Sequence, residues 1–163
     1  MRQLQNKPVT LSMFDTSHII EKHTSPVSHY ELREELIKSI LTAIDNRFDY
    51  CDEHSRGIEK FHSFLQITLK HMAKSYGMTG ISEYWLSDRG DGRWGLIDVV
   101  WVDASKNPIV AIEIDNNNNK SAIFKLMFVD ADLKIWVYYG KPHRMRKLHS
   151  KNIVVISKRR VYS

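Results

Sequence analysis

The sequence predicts an α/β fold in which two helices precede a run of strands and a third helix is set among them. Three observations carry this expectation. Before residue 77 apolar residues recur at helical spacing. After it, β-branched and aromatic runs alternate with turn signals. One late run, "LKIWVYYG", is apolar almost without interruption, as in a strand buried on both faces.

Taken in order, residues 1–28 show no periodicity and include "HTSPVSH", which reads as an irregular arm. Over residues 29–46, Leu32, Leu36, Ile37, Ile40, Leu41 and Ile44 fall on one stripe of an amphipathic helix. "DYCDEHSRG" connects it to a second helix over residues 57–76, with Phe61, Leu65, Leu69, Met72 and Tyr76 on one side and Gly77 as its C-terminal cap. "ISEYWLS" is then a first strand, "DRGDG" a turn, "RWGLIDVVWVD" a second strand, "ASKNP" a turn and "IVAIEID" a third strand. A helix over residues 120–131 leads to the strand "LKIWVYYG", and "NIVVIS" is the last strand before the end of the chain. The segments divide into an N-terminal arm and helix, residues 1–56, and a core, residues 57–163, that ends in a basic tail; together they make one domain.

Composition narrows the class of function. With 42% hydrophobic and 26% charged residues the chain has the make-up of an ordinary globular protein rather than a disordered one. No run approaches the roughly 20 apolar residues of a membrane span. The start, "MRQLQNKPVTLSMF", lacks the apolar core of a secretory signal. The single cysteine, Cys51, neither staples the chain nor supplies a thiolate metal cluster, so a cytoplasmic location is expected. The eight histidines form neither an HxxxH pair nor an HExxH motif; they read as surface residues, and no zinc site is expected. Charge is uneven. Residues 141–163 hold 8 of the 24 Lys and Arg and no acid, while the first 140 residues carry a net −3. The tail, with Lys158, Arg159 and Arg160, is therefore a candidate phosphate-binding surface, a solvated tail being the simpler reading.

The acidic residues of the second and third strands raise the sharpest question. The short turn between these strands implies an antiparallel hairpin. Pairing Val102 with Ile109 sets Val100 opposite Ala111 and Asp98 opposite Glu113, with Asp115 on the same face as Glu113. Two opposed carboxylates repel unless a cation lies between them, and hard oxygen ligands suit Mg²⁺, with Mn²⁺ as a substitute.

Asp98, a turn, Glu113-x-Asp115 on the next strand, then a helix and an apolar strand resemble the PD-(D/E)xK, or restriction-endonuclease-like, nuclease superfamily over residues 57–140. The resemblance implies a restriction-endonuclease-like core, a mixed central sheet of five strands flanked by helices with the N-terminal helix as an extension. It also implies Mg²⁺-dependent endonuclease cleavage of DNA. Asp98 and Glu113 match the metal-binding acids, Ile114 the residue whose carbonyl also ligates metal, and Glu59 the place of a further acid in some members. Asp115 stands where the superfamily has its lysine. In some branches that lysine comes from the following helix, which here offers Lys120 and Lys125. Of these Lys120, nearer the strand end, is the expected one, and Lys125 reads as the more solvated. Arg89 and Arg93, in the turn before the Asp98 strand, are candidates for holding the DNA backbone, and Trp94 beside them for stacking on a sugar or base, packing on the sheet being its simpler reading. A homodimer, joined through the Leu32–Ile44 helix, or a partner protein would bring the second active site that duplex cleavage commonly needs. Two other readings stand beside this one. The first is a catalytically silent DNA-binding or partner subunit on the same fold, serving a restriction, repair or mobile-element system. The second is a solvated hairpin in an unrelated α/β protein.

Overall fold

The computed structural model describes residues 29–53, 57–117, 120–140 and 152–158. Its elements are α1 (His29–Glu53), α2 (Gly57–Met72), β1 (Thr79–Leu86), β2 (Gly95–Val102), β3 (Pro108–Asp115), α3 (Lys120–Phe128), β4 (Leu133–Tyr138) and β5 (Ile153–Ser157). A 3-10 turn, Ala73–Tyr76, ends the second helix, and Gly77 closes it at φ 70°. That left-handed conformation suits glycine, and its N–H reaches the Lys74 carbonyl at 3.1 Å.

The strands form one five-stranded mixed sheet in the order β1-β2-β3-β4-β5. The first three are antiparallel neighbours, and β3, β4 and β5 run parallel. A sheet buried on both faces needs apolar side chains on both, and there are two cores. Leu36, Ile40 and Ile44 of α1 and Phe61, Leu65 and Leu69 of α2 pack with Val99, Trp101, Ile112 and Ile135 on one face. Ala122, Leu126 and Val129 pack with Val100, Ala111 and Trp136 on the other. The indole of Trp101 donates to the Leu69 carbonyl at 2.9 Å, which fastens α2 to β2.

The N-terminal helix thus belongs to the core. Its stripe, expected to serve as a dimer interface, is used against the sheet because Leu36, Ile40 and Ile44 are wholly buried there; Leu32 and Leu41 remain exposed. Among the described residues no helix is long and apolar enough to cross a membrane.

The expected hairpin register needs one correction. Val100 does face Ala111, but Val102 pairs with Pro108 rather than Ile109 because the ladder bulges between Trp101 and Val102. The turn spans an Asp103–Asn107 clasp, with Asp103 Oδ1 accepting from the Asn107 N–H at 2.8 Å and Lys106 taking φ 70°.

Candidate active site at the fork of two strands

The ladder between β2 and β3 runs to Val99 opposite Ile112. One residue further along each strand lie Asp98 and Glu113, where the strands part. The parting begins inside β2. In a regular strand residues i and i+2 share a face, yet Ile97 is in the α3-side core and Val99 in the α2-side core. The strand turns over at Asp98. Its neighbour β1 accommodates this: Ser82 pairs with Val99 and Tyr84 with Ile97, while Glu83, between them, takes φ 52°.

Such a break frees polar groups that a ladder would consume, and two of them are taken up by side chains. The Asp98 backbone carbonyl accepts from Gln66 Nε2 of α2 at 3.0 Å. Asp98 Oδ2 accepts the Ile114 N–H at 2.7 Å, taking the place of a ladder bond on β3. Asp98 Oδ1 lies 3.5 Å from His62 Nε2. The hydrogen bond to Asp98 raises the His62 pKa above its ordinary value, burial pulls it back, and the charges of Asp98 and Asp115 add to the rise.

Glu113, 3% exposed, projects to the α3 side, and its Oε1 lies 2.7 Å from Lys125 Nζ. Lys125 also donates to the Leu96 carbonyl. Burial, and after it the charge of Asp98, pushes the Glu113 carboxyl up to about 8 against the pull of Lys125. Asp115, at the end of β3, accepts the Asn117 N–H at 2.8 Å and contributes its charge to His62 and to Tyr139. Tyr139 is pushed up to about 12, by burial first and then by Asp115 and Asp98.

The two lysines separate cleanly. Lys120 opens α3 and is exposed. Lys125 meets Glu113, reversing the expected preference. The reason is helical phase: Ala122, Leu126 and Val129 face the sheet, and Lys125 shares their i, i+3, i+4, i+7 stripe, so the helix that buries those three must aim Lys125 at β3. His62 and Gln66 also belong to the site, although the sequence reading does not single them out. They flank the Phe61, Leu65, Leu69 stripe of α2 at i, i+4 spacing, and that polar pair on the border of a core face is the available signal.

The turn before β2 is tied into this site. Arg89 holds Asp91 through two bonds of 2.9 Å, and Asp88 Oδ1 accepts the Gly90 and Gly92 N–H groups. Gly90, at φ 89°, leaves room for the Phe128 ring, which a Cβ would strike. Arg89, Arg93, Trp94, Leu96, Ser121 and Lys125 line a cleft of about 600 Å³ between this turn and α3. Elsewhere, Lys158 lies beside Asp45 of α1 as an ion pair. Arg159 and Arg160 lie outside the described residues, as does the side chain of Glu59.

Among the described residues no group of three or more His, Cys, Asp or Glu side chains is arranged to hold a metal ion. Two acids of the fork are nonetheless of the type that one ion uses. Mg²⁺ binds through one or two carboxylates and keeps the rest of its shell as water or substrate oxygen. Asp98 and Glu113 supply two such carboxylates at one fork, and the charge of Asp98 adds to burial in raising the Glu113 pKa. A scan against family models, a search of curated proteins and a search of solved structures each returned no match.

Proposed function

We propose that this chain is a metal-dependent endonuclease of the PD-(D/E)xK, restriction-endonuclease-like type that hydrolyses DNA phosphodiester bonds. The observation that carries the reading is the 2.7 Å contact of Lys125 with Glu113 beside Asp98. It supplies from a helix the cation that Asp115 displaces from the strand. The mixed five-stranded sheet, with α3 between the parallel strands β3 and β4, is compatible with such a core.

In this reading Asp98, Glu113 and the Ile114 carbonyl would hold Mg²⁺ or Mn²⁺. When bound, that ion supplies Lewis acidity toward water and neutralises phosphate charge. Lys125 orients the attacking water or stabilises charge as it develops on the phosphate, from a half-dry position where such a group acts strongly. His62 and Gln66 hold Asp98 in place, one at its carboxylate and one at its carbonyl. Asp115 extends the negative rim.

The test is cleavage of supercoiled plasmid with Mg²⁺ or Mn²⁺, with and without chelator. Metal-dependent nicking or linearisation that disappears in Asp98→Ala and Glu113→Ala is expected. A specific observation favours the silent DNA-binding or partner subunit as the second reading: Lys125 is already engaged by Glu113 and the Leu96 carbonyl. DNA binding without cleavage under every metal condition would establish that reading instead.

A further inference from the structure

The cleft between the 88–92 turn and α3 has a chemistry that the proposed phosphodiester site does not use. It meets that site at one residue, Lys125, whose side chain lines the cleft while its ammonium contacts Glu113. Both arginines of the turn line it, whereas neither acid of the turn does. Asp88 is turned onto backbone N–H groups and Asp91 onto Arg89. Because Arg89 is held by Asp91, Arg93 is the cation that the turn brings to the cavity. Trp94 forms part of the wall and is 65% exposed, although the chain has room to bury indoles, as Trp101 and Trp136 are fully buried. Nor is the cleft a loose gap. Phe128 covers Gly90 at one end, and Lys125 bonds the Leu96 carbonyl at the other, so turn and helix are clamped together. Its volume of about 600 Å³ is in the range of small-ligand clefts.

We infer that this cleft takes an unpaired nucleotide next to the scissile phosphate, so that the DNA cut here is single-stranded or frayed rather than intact duplex. The inference rests on the nuclease reading for the word "scissile" and on the cleft alone for the unpaired base. An intact duplex offers phosphates and groove edges but keeps its base faces stacked. An exposed indole beside arginines fits the opposite case, a base face on the ring with its phosphates on the cations. Arg93 would hold a phosphate, Trp94 the base, and the Ser121 hydroxyl a sugar or base edge.

Binding is measured by fluorescence anisotropy in chelator, where no metal-dependent cutting occurs, with a labelled oligonucleotide of mixed sequence, single-stranded or annealed to its blunt complement. The single strand should bind more tightly than the duplex. Trp94→Ala should weaken single-strand binding by at least about fivefold, the lower bound for one stacked base, while duplex binding stays within about twofold; Trp94→Phe should retain part of the affinity. Arg93→Ala should reduce the salt dependence on the single strand by about 0.7 in log–log slope. Equal affinity for the two forms, or a Trp94→Ala variant that binds the single strand like the wild type, overturns the inference. An RNA of the same sequence bound equally well supports it, since base face and phosphate, not sugar, would be what is read. The two readings fail separately. Absence of metal-dependent cleavage of both plasmid and the single-stranded oligonucleotide, with single-strand binding preference intact, removes the nuclease and keeps the cleft, and metal-dependent cleavage with no effect of Trp94 does the reverse.

Discussion

Replacing Lys125 by Met tests both the structural and the chemical role of the ion pair, because Met keeps the stem that packs beside Gly95 and removes the ammonium, with its charge and its hydrogen bonds. The Glu113 and Lys125 side chains are 4% and 13% exposed, and breaking a buried pair by removing one partner costs about 3–5 kcal/mol. That cost applies only while Glu113 is ionised. Its carboxyl, pushed up to about 8 in the folded chain, binds a proton in the native state that the unfolded chain has already released. Wild-type stability in chelator should therefore fall as pH rises from about 4.5 to 8 and level off above it. Without Lys125, which pulls that pKa down, the decline should continue to higher pH. The variant should trail the wild type by about 3 kcal/mol at pH 9, near the lower end of the range for a pair not fully dry. At pH 5 the gap should shrink to about 1 kcal/mol, the worth of the hydrogen bond to the Leu96 carbonyl. Urea denaturation at pH 5, 7 and 9 measures this directly. Cleavage under Mg²⁺ should fall by about 10²-fold or more, while Lys120→Ala, at an exposed position, should cut like the wild type. A stability loss independent of pH, or full activity in Lys125→Met, would refute the assignment of this lysine.

Thermal melts should show Mg²⁺ or Mn²⁺ raising the Tm of the wild type but not of an Asp98→Ala, Glu113→Ala double variant, and equal shifts in both would rule out the fork as the metal site. Because Lys158 is engaged with Asp45, Lys158→Ala should leave the salt dependence of duplex binding unchanged. A joint Arg159→Ala, Arg160→Ala change should lower the log–log slope by about 0.9 for each phosphate that is no longer neutralised, as read from binding isotherms at several salt concentrations. Gly90→Val should destabilise the chain by about 1–3 kcal/mol, since φ 89° strains a β-branched residue and its Cβ meets the Phe128 ring; a calorimetric Tm equal to the wild type would contradict that packing.

Periodicity determined the elements of this protein before any coordinates. The Phe61, Leu65, Leu69 stripe reads as a helix by its spacing, and the run at Leu133–Tyr138 reads as a strand by its shortness and its β-branched and aromatic residues. The short turn after β2 likewise imposed an antiparallel partner and brought Asp98 near Glu113. Spacing along one strand could not reveal the turn-over at Asp98, because it arises jointly with the left-handed Glu83 on a neighbouring strand and with Gln66 and His62 on a helix about 30 residues away. Lys125 was legible in principle, on the Ala122, Leu126, Val129 stripe, but a charged residue in an apolar stripe reads as noise until the buried carboxylate opposite is seen. The fate of the α1 stripe was also decided in three dimensions: an apolar face fits a partner chain or the chain's own sheet equally well, and the closed layer of α1 and α2 over β2 and β3 settled it for the sheet. Local spacing fixes which residues share a face. Only the packing of distant segments decides what that face meets, because the energy of burial depends on contact and not on sequence order.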